Sequence, residues 1–217
     1  MENKKRKELI ASILAVAALI IVVSGATFAY FAATVSGNNN VVAESYEFAV
    51  SLGVSKTAPT NATIDKLIPL KSGDISTAVT GYGDPTPQPC VDKNGYAACV
   101  IYTLTLTNSG SGTVTMDGTL TPATNQFSSG QLYYRVATEN TGAAFAAATA
   151  TRIVNSDLTT GFDNISVGTA SPTTLYLMLY ILDDESNDQP NNKGKTFSGR
   201  LTFTDKTSGS KLEATFS

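Results

Sequence analysis

Apolar and polar residues alternate with a period of two along much of this chain, and this pattern constrains its fold more than any other feature. Every even position from 46 to 54 is apolar, and residues 100–107 alternate in the same way. Successive side chains of an extended chain point to opposite faces, so both segments are predicted to be strands with one buried face. The 30 threonines among 217 residues also favour strands, because a β-branched side chain fits a pleated sheet.

Shorter runs predict the other strands. Residues 173–182 are apolar on both faces, which predicts a central strand. The strand at 197–203 is expected to pair with 212–216 through the turn at 207–210. Further strands are predicted at 63–70, 113–120, 132–136 and 162–167.

The order of these segments predicts the fold class. The strand at 113–120 is expected to pair back against 100–107, because the turn cluster 108–110 lies between them. The alanine-rich stretch 143–150 is ambiguous, and no other stretch after the first 31 residues shows a convincing helical pattern. Eight or nine short strands predict an all-β protein, an antiparallel two-sheet sandwich of the jelly-roll type, in a single domain spanning 41–217.

Two features of the composition exclude whole classes of function. The chain has no histidine, which excludes Ser-His-Asp and Cys-His nucleophile systems and the HExxH zinc proteases. It carries 15 basic and 18 acidic side chains, a net charge of −3, whereas nucleic-acid binding needs a basic surface. We therefore expect no enzymatic activity, no cofactor and no nucleic-acid partner.

The first 31 residues predict export. Basic residues at 4–7 precede an apolar run at 9–23, an order that is typical of a signal peptide. The small residue Ala29 suits the last position before cleavage, so residues 1–29 are predicted to be removed by a signal peptidase. The alternative is an uncleaved signal anchor at about 9–31, since about 20 apolar residues span a bilayer.

Both alternatives place the rest of the chain outside the cytoplasm. Basic residues stay on the cytoplasmic side of a membrane, so the protein is expected to be extracellular or on the cell surface. The membrane is a partner only through the N-terminal helix, if that helix is uncleaved. Residues 30–40, with the polar stretch 37–40 at their end, are predicted to form a tail and spacer before the sandwich.

The two cysteines are predicted to form a disulfide. Asn94 and Gly95 are a strong signal for a two-residue hairpin turn, and a turn centred on them places Cys90 opposite Cys99. Thiols of an exported protein are expected to oxidise. A metal site made from two cysteines without histidine is the poorer interpretation.

Two further groups of residues have a functional and a structural interpretation. A calcium site is possible, though a solvated acidic loop is favoured, at Asp183, Asp184, Glu185 and Asp188. A glycan groove is an alternative to ordinary core packing for the aromatic residues Tyr133, Tyr134, Tyr176, Tyr180, Phe197 and Phe203. Glycosylation sequons begin at Asn61 and Asn164.

The N-terminal region resembles a known family of secreted proteins. A lysine-rich start and an apolar run are followed by Gly-Ala-Thr-Phe-Ala-Tyr-Phe at residues 25–31. This arrangement is similar to that of the TasA and camelysin family of Gram-positive bacteria, whose leaders are processed by the signal peptidase SipW. The resemblance implies a jelly-roll subunit of an extracellular fibre in a biofilm matrix. Camelysins have been classed as metalloproteases, and the absence of histidine argues against that activity here.

Family membership would also imply a mode of assembly, in which the N-terminal tail of one subunit completes a sheet of the next. The predicted donor strand begins at Tyr30, and its alternating residues are Phe31, Ala33 and Val35. The first hypothesis is therefore an exported structural protein that assembles into fibres by strand addition. The alternative is a membrane-anchored surface module that binds a glycan or a host protein. The sequence leaves the ligand, the host partner and the fibre geometry open.

Overall fold

The computed structural model describes residues 49–59, 66–81, 88–92, 94–127, 130–183 and 194–216. The predicted leader or anchor, the tail and the first residues of the predicted domain lie outside these ranges. Within them the chain forms two six-residue helices, α1 (Ile75–Thr80) and α2 (Gly142–Ala147). The strands are β1 (Val50–Ala58), β2 (Pro69–Leu70), β3 (Cys99–Asn108), β4 (Val114–Asn125), β5 (Leu132–Ala137), β6 (Thr151–Arg152), β7 (Ile165–Val167), β8 (Thr173–Leu182), β9 (Phe197–Asp205) and β10 (Lys211–Phe216).

The strands form two sheets. The larger sheet has the order β1-β3-β8-β5-β6, with β2 beside the end of β8, and the smaller sheet has the order β10-β9-β4-β7. The β2–β8 pair is parallel and the other pairs are antiparallel. This arrangement confirms an all-β, mostly antiparallel protein with two sheets. It also confirms the central position of β8 and the β9–β10 hairpin.

The main core lies between the sheets. Even-numbered residues of β1 and β3 and odd-numbered residues of β8 point inward, as the period-two pattern predicts. They meet the inward residues of β4, β9 and β10, and one buried hydrophobic cluster results. Its members include Leu52, Leu104, Leu120, Leu177, Leu201, Phe203 and Leu212.

A second hydrophobic cluster covers part of the outer face of the larger sheet. Helices α1 and α2 pack there, over side chains that β3 and β8 direct away from the main core. Buried members include Ile75, Val79, Ile101, Phe145, Met178 and Tyr180. This cover is why residues 173–182 are apolar on both faces.

One predicted strand pairing is wrong. Strand β4 does not pair back against β3; it pairs with β7 and β9 in the smaller sheet. The Asn108 side chain helps to turn the chain, because its Nδ2 donates to the carbonyls of Gly112 and Val167 at 2.7 and 3.0 Å and its Oδ1 accepts from the Gly110 N–H at 2.9 Å. The turn at 108–110 therefore leads from one sheet to the other.

The expectation of no helix outside the ambiguous alanine-rich stretch is also wrong, because α1 spans Ile75–Thr80. The ambiguous alanine-rich stretch contains α2, whose first turn is capped by the Thr141 hydroxyl, which accepts from the Ala144 N–H at 3.2 Å. Six residues make fewer than two helical turns, too few to show a helical period. Of the strand predicted at 63–70, the described residues contain only Pro69–Leu70 as strand. No helix in the described ranges is long and apolar enough to cross a membrane.

Candidate functional site

The outer edge of β1 is the longest open strand edge in the described part of the chain. Strand β1 lies at the end of the larger sheet, and no described strand pairs with its outer side. The other three sheet ends are β6, with two residues, β7, with three, and β10, with six. Edge strands present N–H and C=O groups that can accept another strand, so β1 is the candidate assembly site.

One contact shows which residues of β1 bond to β3 and which direct their backbone groups away from it. The Ser109 N–H donates to the Ala49 carbonyl at 2.8 Å, and the β1–β3 register continues from that pair. In an antiparallel ladder bonded and unbonded pairs alternate. The odd-numbered residues of β1 therefore bond to β3, while three even-numbered residues direct their N–H and C=O groups outward: Val50, Leu52 and Val54.

Little in β1 protects this edge from pairing. The strand contains no proline, and Lys56 is its single charged residue. Burial lowers the pKa of Lys56. By contrast β10 carries Lys211 and Glu213, and Glu213 lies 3.7 Å from Arg200 on the neighbouring strand. Charged residues and prolines are the usual protection of edge strands, so β1 is the less protected of the two long edges.

The disulfide joins the predicted cysteines, but the hairpin around it has a different register. Cys90 and Cys99 are bonded, both fully buried, with Cα atoms 4.9 Å apart. Val91 bridges Ala97, so position 90 lies opposite 98 rather than 99. Cys90 has a φ of +60°, a left-handed conformation that is uncommon for a residue other than glycine.

The side chain of Asp92 explains the shift by one residue. Its carboxylate accepts the N–H groups of Asn94 and Tyr96 at 2.9 and 2.7 Å, and the Gly95 N–H donates to the Asp92 carbonyl at 3.0 Å. This Asx-type turn replaces the predicted two-residue turn. It leaves Tyr96 61% exposed.

Arg135 is a buried cation that sequence reasoning did not identify. It is 7% exposed, and its Nε donates to the Tyr180 hydroxyl at 3.2 Å. Its Nη1 donates to the carbonyls of Phe145 and Ala146, both at 3.1 Å, and to that of Ala148. A cation is favourable at the C-terminal end of a helix, so Arg135 holds α2 against the sheet. The only sequence signal is a charged residue in the middle of an apolar strand.

A cluster of three polar side chains lies at one end of the smaller sheet. Lys206 Nζ is 2.8 Å from Asn164 Oδ1 and 3.3 Å from Asp117 Oδ2, and the Asn164 N–H donates to Asp117 Oδ1 at 2.7 Å. The Asn164 N–H lowers the pKa of the Asp117 carboxyl; burial opposes this effect, and the Lys206 ammonium adds to it. Asn164 is recognisable in the sequence as part of a sequon, but no pattern there indicates its contacts with Lys206 and Asp117.

Asp205 holds the turn between β9 and β10. Its buried carboxylate accepts from the N–H groups of Thr207 and Ser208 at 3.1 and 3.0 Å, and from the Ser208 hydroxyl. Burial alone would raise the pKa of Asp205, but these hydrogen bonds outweigh it, and the pKa lies below its ordinary value.

The predicted calcium residues are mostly outside the described ranges. Asp183 follows β8, and its N–H donates to the Leu70 carbonyl at 2.9 Å. The other three, Asp184, Glu185 and Asp188, lie outside the described ranges, so the choice between the favoured acidic loop and a calcium site stays untested. Among the residues that the structure describes, no three His, Cys, Asp or Glu side chains are grouped as metal ligands would be.

The predicted cleavage and donor residues also lie outside the described ranges: Ala29, Tyr30, Phe31, Ala33 and Val35. Of the six aromatic residues considered for a glycan groove, four are buried in the two clusters: Tyr134, Tyr180, Phe197 and Phe203. Tyr133 and Tyr176 are partly buried against the second cluster. The core interpretation is therefore confirmed for those four.

Comparisons with known proteins give weak likenesses. No protein-family model matches the chain, and no curated protein matches it at a significant level. Among solved structures it is similar to a FixG-related protein from Vibrio parahaemolyticus, with 9% identity over 77% of this chain and 93% of that one and a TM-score of 0.35. It is also similar to a DUF4466 family protein from Parabacteroides merdae, with 11% identity over 78% of this chain and 44% of that one and a TM-score of 0.35.

A third likeness is to a family 123 glycoside hydrolase from Clostridium perfringens, with 8% identity over 76% of this chain and 26% of that one and a TM-score of 0.30. These three TM-scores are too low for any of the likenesses to carry an argument about family or activity.

Proposed function

We propose that this protein is an exported, non-enzymatic structural subunit of an extracellular fibre, assembled by strand addition. The observation that carries the proposal is the outer edge of β1, where Val50, Leu52 and Val54 direct their N–H and C=O groups outward and no described strand lies beside them. The proposed fold is a jelly roll and the proposed leader is residues 1–29, as in the TasA and camelysin family that the N-terminal region resembles. The proposed donor is the tail that cleavage after Ala29 would release.

The chemistry of the edge supports strand addition. An incoming strand can bond to the outward N–H and C=O groups of Val50, Leu52 and Val54 without disturbing the β1–β3 ladder, which uses the other residues. Each added backbone hydrogen bond contributes roughly 0.5–1.5 kcal/mol. Burial of Phe31 and Val35 would add about 1.5–3 kcal/mol each, before the entropy of ordering the tail is subtracted.

These magnitudes suit a fibre of many subunits. A single contact of this size is partly offset by the loss of translational, rotational and chain entropy, so one pair of subunits is expected to associate weakly. A filament forms when each subunit makes two such contacts, one as donor and one as acceptor. Assembly should therefore depend steeply on protein concentration.

The first test concerns the donor. The mature chain beginning at Tyr30 is compared with a chain beginning at Gly37, and both are examined by electron microscopy after incubation at high concentration. We expect filaments from the longer chain and monomers from the shorter one. The same filaments from the chain that begins at Gly37 would rule out the tail as donor.

The second test concerns the acceptor. A Ser51→Lys/Ser55→Lys variant adds two charges to the edge strand, on the outer face of the larger sheet, and the matched control is Ser51→Thr/Ser55→Thr. Both positions are half-buried and polar, and lysine at an edge disfavours pairing with another strand. We expect the lysine variant to remain monomeric and the threonine variant to assemble. Unchanged filaments from the lysine variant would exclude the β1 edge.

N-terminal sequencing of the exported chain separates this proposal from its alternative. A chain that begins at Tyr30 and sediments as filaments supports the fibre subunit. A chain that keeps its first residues and remains in the membrane as a monomer would support an anchored surface module instead.

A further inference from the structure

Lys206, Asn164 and Asp117 bring an amine, a carboxamide and a carboxylate into contact. They come from separate segments: Lys206 follows β9, Asn164 precedes β7, and Asp117 lies within β4. The amine nitrogen is 2.8 Å from the carboxamide oxygen and 3.3 Å from the carboxylate. A nucleophile, an electrophilic carbon and a group that carries protons are therefore within reach of one another.

We propose that Lys206 and Asn164 form an intramolecular amide cross-link, with Asp117 carrying the proton. The lone pair of neutral Lys206 Nζ forms a bond to Asn164 Cγ, and the bond between Cγ and Nδ2 breaks. Nζ gives up one proton to the Asp117 carboxylate, which passes it to the departing nitrogen. One amine and one carboxamide thus become one secondary amide and one ammonia, and no oxidant, reductant or other reactant is needed.

The backbone around the cluster fixes the partners in position. Asn164 has a φ of +55°, a left-handed conformation, and the Asp117 carboxylate binds its N–H while the other carboxylate oxygen faces Lys206. The Lys206 N–H donates to the carbonyl of Thr115, two residues before Asp117, at 3.0 Å. Holding two reacting groups about 3–3.5 Å apart raises their effective concentration by many orders of magnitude.

The charges of the cluster suit this role for Asp117. Within the described residues Asp117 is the one carboxylate at ion-pair distance from Lys206; Asp205, the preceding residue, is turned toward Thr207 and Ser208. An ionised carboxylate can accept a proton from the amine. The Lys206 and Asp117 side chains are 43% and 41% exposed, so water and hydroxide reach the site. Because only a neutral amine attacks, the reaction should become faster as the pH rises.

The cross-link would change the mechanics of the smaller sheet. It would tie the turn that follows β9 to the turn that precedes β7, across β4, which lies between these strands. The strands β9 and β7, which are not neighbours in that sheet, would then be joined covalently at one end. This is a useful property for a subunit that is exposed to shear outside a cell.

The test is the intact mass of the purified chain, measured after reduction of the disulfide and incubation at neutral and mildly alkaline pH. We expect the chain to weigh less than its sequence by one ammonia, with a larger converted fraction at the higher pH. Proteolysis should then release one branched peptide that contains both Lys206 and Asn164. Lys206→Arg keeps the positive charge but removes the amine nucleophile, and it should keep the full sequence mass.

Asn164→Ala is the second control, because the Asn94-Gly95 sequence can also lose ammonia by closing on its own backbone. A loss of ammonia that is as large in Lys206→Arg and Asn164→Ala as in the wild type would overturn the proposal. So would a wild-type chain that keeps its full mass after alkaline incubation. Asp117→Asn should slow the conversion, whereas an unchanged rate would remove Asp117 from the mechanism.

Discussion

The outer faces of the two sheets differ in what covers them. The outer face of the larger sheet carries Met178 and Tyr180, which are fully buried beneath α1 and α2. The outer face of the smaller sheet carries half-buried and exposed polar residues, such as Thr202 and Arg200. One sheet therefore has two hydrophobic faces and the other has one.

The two helices over the larger sheet are held in place by a few specific contacts, whereas the two-sheet core does not depend on such contacts. A six-residue helix is not stable on its own. The cover is fixed by the Cys90–Cys99 disulfide, by Arg135 at the end of α2, and by a Cys90 N–H that donates to the Ala78 carbonyl of α1 at 2.8 Å. The sandwich is instead held by long antiparallel ladders and a continuous core.

The largest losses of stability are expected from substitutions of two neighbouring residues of β8 that face opposite sides of the larger sheet. Leu177→Ala in the main core and Met178→Ala beneath the helices should each lower the free energy of unfolding by about 2–5 kcal/mol, because both side chains are fully buried. Thr202→Ala on the uncovered face is the control and should change it by less than about 0.5 kcal/mol. Chemical denaturation measures all three. A Met178→Ala variant as stable as the wild type would contradict the burial of the outer face of the larger sheet beneath the helices.

Removal of the disulfide should weaken the cover. A Cys90→Ala/Cys99→Ala variant should lose roughly 2–3 kcal/mol, the contribution of a ten-residue loop in the chain-entropy model. Hydrogen exchange should rise in α1 and α2 more than in β4 and β9. In the wild type no thiol should react with a labelling reagent before reduction, and two reactive thiols per chain would contradict the disulfide.

The contact between α1 and α2 depends on a glycine. A Cβ atom at Gly142 would lie 2.3 Å from the Ser76 carbonyl oxygen, so Gly142→Ala must push the helices apart. We expect a loss of about 1–3 kcal/mol, as for other overpacked sites. Gly73→Ala is the matched control, since a Cβ atom there meets nothing within 4 Å. Equal thermal denaturation midpoints for the two variants would show that the helices are not held closely.

The smallest expected effect is a change in stability with pH that depends on Asp205 in the smaller sheet. Because the pKa of Asp205 is lowered from its ordinary 3.8, its contribution to stability is present above that value and is lost as the pH falls through the lower folded-state pKa. Asp205→Asn should cost less than about 1.5 kcal/mol at neutral pH. The difference from the wild type should shrink in acid, as measured by denaturation at a series of pH values. A difference that is constant with pH would contradict this role.

Local sequence alone determined the inward faces of the strands, the β9–β10 hairpin and the pairing of the two cysteines. From residue 102 to 107 apolar residues alternate with threonines, and a shift of one residue would expose both leucines of that segment, so the pattern fixes which face is buried. The turn at 207–210 places Leu212 opposite Phe203, as expected. The chain has two cysteines, so only one pairing within the chain is possible, and the two are close in sequence.

Only the tertiary structure decided the sheet to which β4 belongs, the cover on β8, and the meeting of Lys206, Asn164 and Asp117. A run of apolar residues indicates that a strand is buried but does not identify the elements that cover it. Helices of six residues carry too little periodicity to be predicted, so the buried state of Arg135 was invisible as well. Side chains 42 and 47 positions apart meet because distant strands share a sheet, and that depends on the whole fold rather than on neighbours in sequence.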